Sequence, residues 1–177
     1  MITTLRRAAL ALALAAASAA PAMAQEGGKS GLVKGAQHGD WTMFCAPEGG
    51  PCVMEQTGRT ADGKELLHLR LIKIKPQKTP QGTADTVLNG RVPLGVLLGG
   101  GLAVSVDGGK ELRMPYEVCG KAGCVVQTLV LNDFVAAFKK GVKATFTVRV
   151  GKKAQPISTE ISLKGFTKAY NSMKPSN

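Results

Sequence analysis

The sequence predicts an all-β protein, a sandwich of about eight or nine short antiparallel strands with one or two short helices. Apolar and polar residues alternate in short runs, and turn signals recur at intervals of about 8–12 residues. The 22 glycines among 177 residues supply many tight turns. After the N-terminal segment, no apolar run reaches the ~18 residues of a membrane span. We therefore expect one β-rich domain and no transmembrane segment in the mature chain.

Residues 1–24 have the three parts of an export signal. Arg6 and Arg7 form the basic part, residues 8–20 form an apolar core, and an A-x-A motif ends the segment. We predict cleavage near Ala24-Gln25 and a mature protein that is periplasmic or secreted. That compartment is oxidising, which bears on the cysteines below.

The mature chain is predicted to have three parts. Residues 25–39 are rich in Gly and Lys without periodicity and are predicted to be a flexible lead-in. Residues 40–173 form the single domain, and residues 174–177 form a tail. The first strand is therefore expected to begin at Asp40.

The first half of the domain is predicted to be a run of hairpins. Alternation predicts strands over residues 40–45 and 52–57. Asp62-Gly63 signals a hairpin turn before the longest predicted strand, residues 66–74, whose period slips in a way that suggests a bulge or burial on both faces. Residues 76–85 are rich in Pro, Gly and polar side chains and are predicted to be a loop.

The middle of the domain contains a predicted crossing between sheets. Pro93 interrupts the apolar run 86–98, which favours an edge strand or a crossing over a central helix. Gly99-Gly100-Gly101 is predicted to be a turn, because no Lys-Ser/Thr follows it and no helical pattern begins there. Two further strands are predicted over residues 102–106 and 111–118.

The last third of the domain pairs strands with two short helices. A strand over 125–131 precedes a helix that Asn132 can cap and Gly141 ends. Residues 142–150 alternate most clearly in the whole chain and pair with a strand of the same character over 157–163. Apolar residues at helical spacing then predict a closing helix that ends near Met173.

Four cysteines lie in two close pairs, Cys45 with Cys52 and Cys119 with Cys124. Four thiols allow three connectivities, and the sequence alone does not choose among them. Each pair flanks a turn-rich stretch, so we expect two local bridges, each contributing about 2 kcal/mol in the chain-entropy model. Neither pair is C-x-x-C, which argues against a thiol oxidoreductase, and the spacings are wide for a zinc ribbon.

The sequence offers little chemistry for catalysis. His38 and His68 have no Cys, Asp or Glu at ligand spacing, and no G-x-S-x-G motif is present. Glu111 and Glu117 flank a Pro-Tyr pair and are expected to be surface charges. We predict no catalytic, cofactor-binding or metal-binding residues and no enzymatic activity. A hydrolase or transferase would instead need a pocket with convergent polar groups and shifted pKa values.

The basic surplus is the main functional signal. Lysine and arginine total 23 against 12 acidic residues, a formal net charge of +11. One reading is a solvated face that keeps the protein soluble. The sharper hypothesis is attraction to anionic envelope partners such as lipopolysaccharide, anionic lipid or acidic glycans. Nucleic acid is disfavoured because the chain is predicted to be exported and carries no recognised nucleic-acid module. The candidate partner-binding residues are Lys139, Lys140, Lys143, Arg149, Lys152 and Lys153.

Five motifs, in order along the chain, resemble one protein family. They are Trp41 to Cys45, Val92 to Leu98, Leu102 to Asp107, Pro115 to Cys119 with Gly123-Cys124, and Ser162 to Tyr170. Together with both cysteine pairs, they are similar to the invasion-associated locus B (IalB) family of Gram-negative envelope proteins. The resemblance covers about residues 40–173.

This resemblance implies a secreted or periplasmic protein with an immunoglobulin-like β-sandwich. Some members of the family are linked to the entry of pathogens into host cells, and no catalytic residues come with it. The leading hypothesis is therefore a non-enzymatic envelope or secreted virulence protein of this type, which binds a protein or an anionic lipid or glycan of the envelope or host surface. The alternative hypothesis is a periplasmic structural or accessory factor of an envelope complex.

Overall fold

A computed structural model describes residues 31–151 and 153–176 of the chain. The strands, in chain order, are β1 (Val33–His38), β2 (Trp41–Cys45), β3 (Cys52–Arg59), β4 (Glu65–Thr79), β5 (Gly82–Val92), β6 (Leu102–Val106), β7 (Leu112–Met114), β8 (Val118–Gly120), β9 (Gly123–Leu131), β10 (Lys143–Val150) and β11 (Gln155–Ser162). The helices are α1 (Asn132–Lys140) and α2 (Phe166–Ser172). Short 3-10 turns occupy Pro47–Gly49 and Leu98–Gly100.

The strands form two antiparallel sheets. The larger sheet has the order β1-β2-β3-β4-β5-β9-β8, and the smaller has the order β11-β10-β6-β7. Their inner faces share one core, in which, for example, the backbone of Gly90 approaches the side chain of Leu102. The predicted all-β class, two antiparallel sheets with two short helices, is confirmed, with eleven strands in the described residues instead of eight or nine.

Alternation along the central strand of the smaller sheet builds one wall of the core. Ala144, Phe146 and Val148 of β10 are buried, while the residues between them are partly exposed. This is the pattern expected of a strand with one face on the core. The sequence predicted this strand and its pairing with β11, and both are confirmed.

Aromatic side chains close the core where the two helices meet the sheets. Phe166 of α2 packs edge-on to Trp41 with ring centroids 5.3 Å apart. It also stacks on Phe138 of α1 at 5.3 Å and on Tyr170 at 5.7 Å. All four side chains are at most 2% exposed. The two predicted helices are confirmed, and they pack against each other through this cluster.

The predicted start of ordered structure at Asp40 is wrong. Residues Val33–His38, expected within the flexible lead-in, form β1 and pair with β2 from Val33–Cys45 to His38–Trp41. Five of the six β1 residues are exposed. The strand is therefore held by hydrogen bonds to the edge of β2 and leaves no apolar period in the sequence. Residues 1–30, with the predicted signal segment, lie outside the described residues.

The predicted loop over residues 76–85 is also wrong. β4 continues to Thr79 and β5 begins at Gly82, so these residues form the end of a long hairpin. Pro76 lies where the register shifts between Lys73 and Gln77, which accommodates a residue with no N–H to donate. Cross-strand pairing holds these mostly polar strand ends, in which Ala84 is buried.

Prolines mark two of the three points where the chain changes sheets. β5 ends at Val92, immediately before Pro93, and the chain then crosses to β6 in the other sheet, so the predicted crossing is confirmed. The edge-strand alternative is wrong, because β5 pairs with β4 on one side and β9 on the other. The single strand predicted over 111–118 is split at Pro115 into β7 of the smaller sheet and β8 of the larger.

The start of α1 differs from the prediction in one detail. Leu131 occupies the N-cap position without a side-chain hydrogen bond, so Asn132 begins the helix and does not cap it. Gly141 ends the helix as predicted, and its N–H donates to the carbonyl of Ala137. None of the helices within residues 31–151 and 153–176 is long and apolar enough to cross a membrane.

Candidate functional site

Both cysteine pairs form the local disulfides that the sequence predicted. Cys45 and Cys52 are directly opposite each other on β2 and β3, and Cys119 and Cys124 are opposite on β8 and β9. Each bridge therefore ties two neighbouring strands of the larger sheet close to their connecting turn. The described residues contain no free cysteine.

The five candidate partner-binding residues that the structure describes do not form one patch. Lys139 and Lys140 end α1, and Lys143 starts β10, so these three lie together. Arg149 lies six residues further along β10, about 20 Å away at the rise of a β-strand. Lys153 lies in the turn that follows, and Lys152 lies outside the described residues. The structure therefore divides the candidates into two groups.

The first group makes contacts within the protein. The ammonium of Lys139 lies over the ring of Tyr170, 4.4 Å from its centroid. Lys143 forms an exposed ion pair with Glu160, whose hydrogen bond raises the pKa of the Lys143 ammonium. An exposed pair of this kind contributes little to stability, but its carboxylate reduces the local positive potential. Lys140 is exposed.

The second group lies beside residues 93–101, the segment between the sheets that we call the crossover loop. The N–H of Leu97 donates to the carbonyl of Arg149 at 2.7 Å, and Val96 forms an isolated bridge with Val150. At the other side of the loop, Nη1 of Arg113 donates to the carbonyl of Gly100 at 2.6 Å. The crossover loop is thus fixed between β7 and β10.

A glycine is required at the end of the crossover loop. Gly101 has a φ of +60°, and an added Cβ there would lie 2.6 Å from the carbonyl oxygen of Met114. Its neighbour Gly100 lies against the aliphatic stem of Arg149. The predicted glycine turn is confirmed, and its small residues let the loop approach β7 and β10 closely.

Arginine and lysine side chains from separate segments converge around this loop. Arg91 and Lys121 line an open cavity of about 370 Å³ together with Leu94 of the loop. With Arg113, Arg149 and Lys153 they form a set that we call the basic rim. Two carboxylates oppose these five cations. Glu65 lines the same cavity, and Glu111 pairs with Arg113.

Sequence reasoning found only part of the basic rim. Arg149 and Lys153 were candidates because they lie in a lysine-rich stretch, whereas Arg91, Arg113 and Lys121 are isolated along the chain. They come together because β5, β7, the β8–β9 turn and β10 all present their ends to the crossover loop. The available signal was the position of each cation beside a predicted turn or proline.

A second polar cluster, on β3 and β4, was also not predicted from the sequence, because its residues are far apart along the chain. Glu55 of β3 is 9% exposed, and its carboxylate contacts Nε2 of His68 at 3.0 Å and the guanidinium of Arg70, both on β4. Glu55 is 13 residues from His68 and 15 residues from Arg70 in the sequence, so no local motif indicates these contacts. Within the described chain no group of three or more His, Cys, Asp and Glu side chains is placed to hold a metal ion.

The remaining residues considered for catalysis lie apart from one another. His38 ends β1, and Glu111 and Glu117 are exposed on different segments.

Tyr116 and Asp62 have large pKa shifts. Burial raises the pKa of the Tyr116 phenol to about 12, and the hydrogen bond from Lys64 lowers the pKa of the Asp62 carboxyl to about 2.

A second cavity, of about 650 Å³, lies between α1 and the ends of β6, β7 and β9. Apolar side chains such as Leu112, Leu129 and Phe134 form much of its lining. Among the described residues, the groups with shifted pKa values lie outside both cavities.

Comparison with known proteins gives one consistent result. The family described as "Invasion associated locus B (IalB) protein" matches residues 41–174. The invasion protein B homologs of Brucella abortus strains 2308 and 9-941 (biovar 1) are each 28% identical over 152 residues, which is 85% of this chain and 83% of theirs. The crystal structure of invasion associated protein B from Bartonella henselae has a TM-score of 0.62 and 21% identity, and the match covers 78% of this chain and 94% of that one.

Proposed function

Because the chain belongs to the invasion associated locus B (IalB) family, we propose that it is an exported, non-enzymatic envelope or secreted protein that binds an anionic partner through its basic rim. Export is supported by the two disulfides, which persist in oxidising compartments. The names of the Brucella relatives, both invasion protein B homologs, support a contribution to host-cell invasion and describe no enzyme.

One observation carries the proposal. Cations from five strands or turns of the fold converge around the crossover loop, where they outnumber the neighbouring carboxylates. Such a cluster produces a positive local potential that attracts anionic surfaces and speeds encounter with them. The group around Lys139 and Lys143 is a weaker candidate, since Tyr170 and Glu160 engage two of its three cations, whereas Glu111 pairs with one of the five in the rim.

Charge reversal at the rim tests this function. Lys121→Glu/Lys153→Glu is expected to reduce capture of anionic envelope material at least tenfold, because two exposed attractions become repulsions. The measurement is a pull-down from envelope extract with the oxidised protein purified after export, at low salt and at about 0.5 M salt, where the Debye length is only about 4 Å. Capture by the unaltered protein is expected to fall in the same way when salt is added.

The matched control is Lys75→Glu/Lys78→Glu, which makes the same change in net charge. Both lysines are exposed on β4, and Lys78 pairs with Thr83, at the opposite end of β5 from Val92. This variant should retain most of the capture. Equal losses in both variants would mean that net charge and not the rim governs binding. A protein partner that survives 0.5 M salt would replace the proposal with the accessory-factor function.

A further inference from the structure

The crossover loop exposes three leucines at the centre of the basic rim. Leu94 is 58% exposed, Leu97 44% and Leu98 58%, within five consecutive positions of the chain. Contiguous exposed aliphatic side chains are uncommon on a soluble protein and mark surfaces that contact another apolar phase. Other exposed large apolar side chains include Val33 in β1 and Val142, which immediately precedes β10.

The fold holds these leucines outward. The backbone on both sides of Leu97 is fixed, by the bond to the Arg149 carbonyl and by the turn bond from the Gly100 N–H to the Leu97 carbonyl at 2.9 Å. The Arg113 guanidinium binds the end of the loop. A loop fixed at both sides cannot turn its leucines into the core, so their exposure is a property of the folded state.

We propose that the crossover loop and the basic rim form a docking surface for an anionic lipid bilayer. The leucines would enter the boundary between headgroups and acyl chains, and the rim would contact the headgroup phosphates. This inference rests on the proposed function, since it names the anionic partner of the same rim. Aliphatic side chains within a ring of lysine and arginine are the combination that holds proteins at membrane interfaces.

The exposed leucines favour a bilayer over an acidic glycan as the anionic partner. An acidic glycan offers charge but no apolar phase, so binding to it leaves the leucines in water. A bilayer removes them from water and also presents a plane of phosphates to cations that lie around them. The rim cations Arg91 and Lys121 line the same cavity as Leu94, so one approach can satisfy both contacts. The backbone carbonyl of Arg149 accepts from the N–H of Leu97, which places the end of β10 beside the same loop.

The test compares two double variants that each remove two exposed apolar side chains. Leu94→Ser/Leu98→Ser removes them from the crossover loop, and Val33→Ser/Val142→Ser removes them from distant positions of similar or greater exposure. Protein purified after export is sedimented with phosphatidylcholine vesicles that contain about 30% phosphatidylglycerol, or with phosphatidylcholine alone. Retention on heparin beads is measured in parallel as a readout of charge without an apolar phase, and thermal unfolding checks the fold.

We expect the unaltered protein and the valine variant to sediment with the anionic vesicles. Neither should sediment with vesicles of phosphatidylcholine alone. The leucine variant should bind the anionic vesicles at least about tenfold more weakly, with unchanged heparin retention. Equal vesicle binding by both variants would overturn the role of the leucines. If the unaltered protein is retained on heparin but does not bind vesicles, the lipid proposal is overturned and the anionic-partner function stands. If the unaltered protein binds neither heparin nor vesicles, both the lipid proposal and the anionic-partner function are overturned.

Discussion

Replacement of Phe166 by alanine is expected to lower the free energy of unfolding by about 4 kcal/mol, the cost of removing a fully buried aromatic ring. Phe166 is 1% exposed and contacts the rings of Trp41, Phe138 and Tyr170. Its loss leaves a cavity where β2, α1 and α2 meet, which the surrounding rings cannot fill without leaving their packed positions. Equilibrium urea unfolding of the oxidised protein measures the change.

The matched control for this substitution is Phe134→Ala. Phe134 lies on α1 and packs edge-on to Phe138 with centroids 5.2 Å apart, but it is only partly buried. Its removal should cost about 1–2 kcal/mol, since less apolar surface returns to water. Equal costs for the two substitutions would mean that the aromatic cluster is not the centre of stability at the helices.

Replacement of Gly165 by alanine is expected to cost about 3 kcal/mol, from backbone strain together with steric overlap. Gly165 has a φ of +85° at the start of α2, and an added Cβ would overlap the carbonyl of His38 at the end of β1. The backbone of Gly39 likewise approaches that of Lys164. The β1–β2 turn and the start of α2 therefore meet through backbone alone, and a side chain must separate them.

Gly63→Ala separates the strain from the overlap. Gly63 has a φ of +81°, nearly that of Gly165, but nothing lies within 4 Å of its added Cβ. This substitution should cost only about 1 kcal/mol. Urea unfolding of the two variants side by side gives the difference. A Gly165→Ala cost no greater than that of Gly63→Ala would show that β1 and α2 are not in close contact.

Features that depend on local alternation were predictable from the sequence. β10 has one buried face, as does the second half of β11 at Thr159 and Ile161, and burial imposes a period of two on the residue types. The cysteine hairpin at Cys119 and Cys124 was predictable for a related reason, because glycines mark its turn and both neighbouring segments are strand-forming. In these places the local sequence and the final packing agree.

Features that depend on pairing between distant segments were not predictable in this way. β1 is held by backbone hydrogen bonds and is almost wholly exposed, so no apolar pattern marks it. The contact between Glu55 and His68 requires the register of β3 against β4. Most of the basic rim could not be predicted for the same reason. Arg91, Arg113 and Lys121 are far apart in the sequence and become neighbours only because the topology brings separate strand ends to one loop.

The most direct test of membrane docking at the crossover loop is the fluorescence of a tryptophan placed at Leu98. The native Trp41 is fully buried, so its emission is constant and can be subtracted. In Leu98→Trp, anionic phosphatidylglycerol-containing vesicles should shift the added emission to shorter wavelength, and brominated lipids should quench it, while Val142→Trp responds to neither. An added tryptophan at position 98 that stays in water while the protein sediments with those vesicles would contradict docking through the crossover loop.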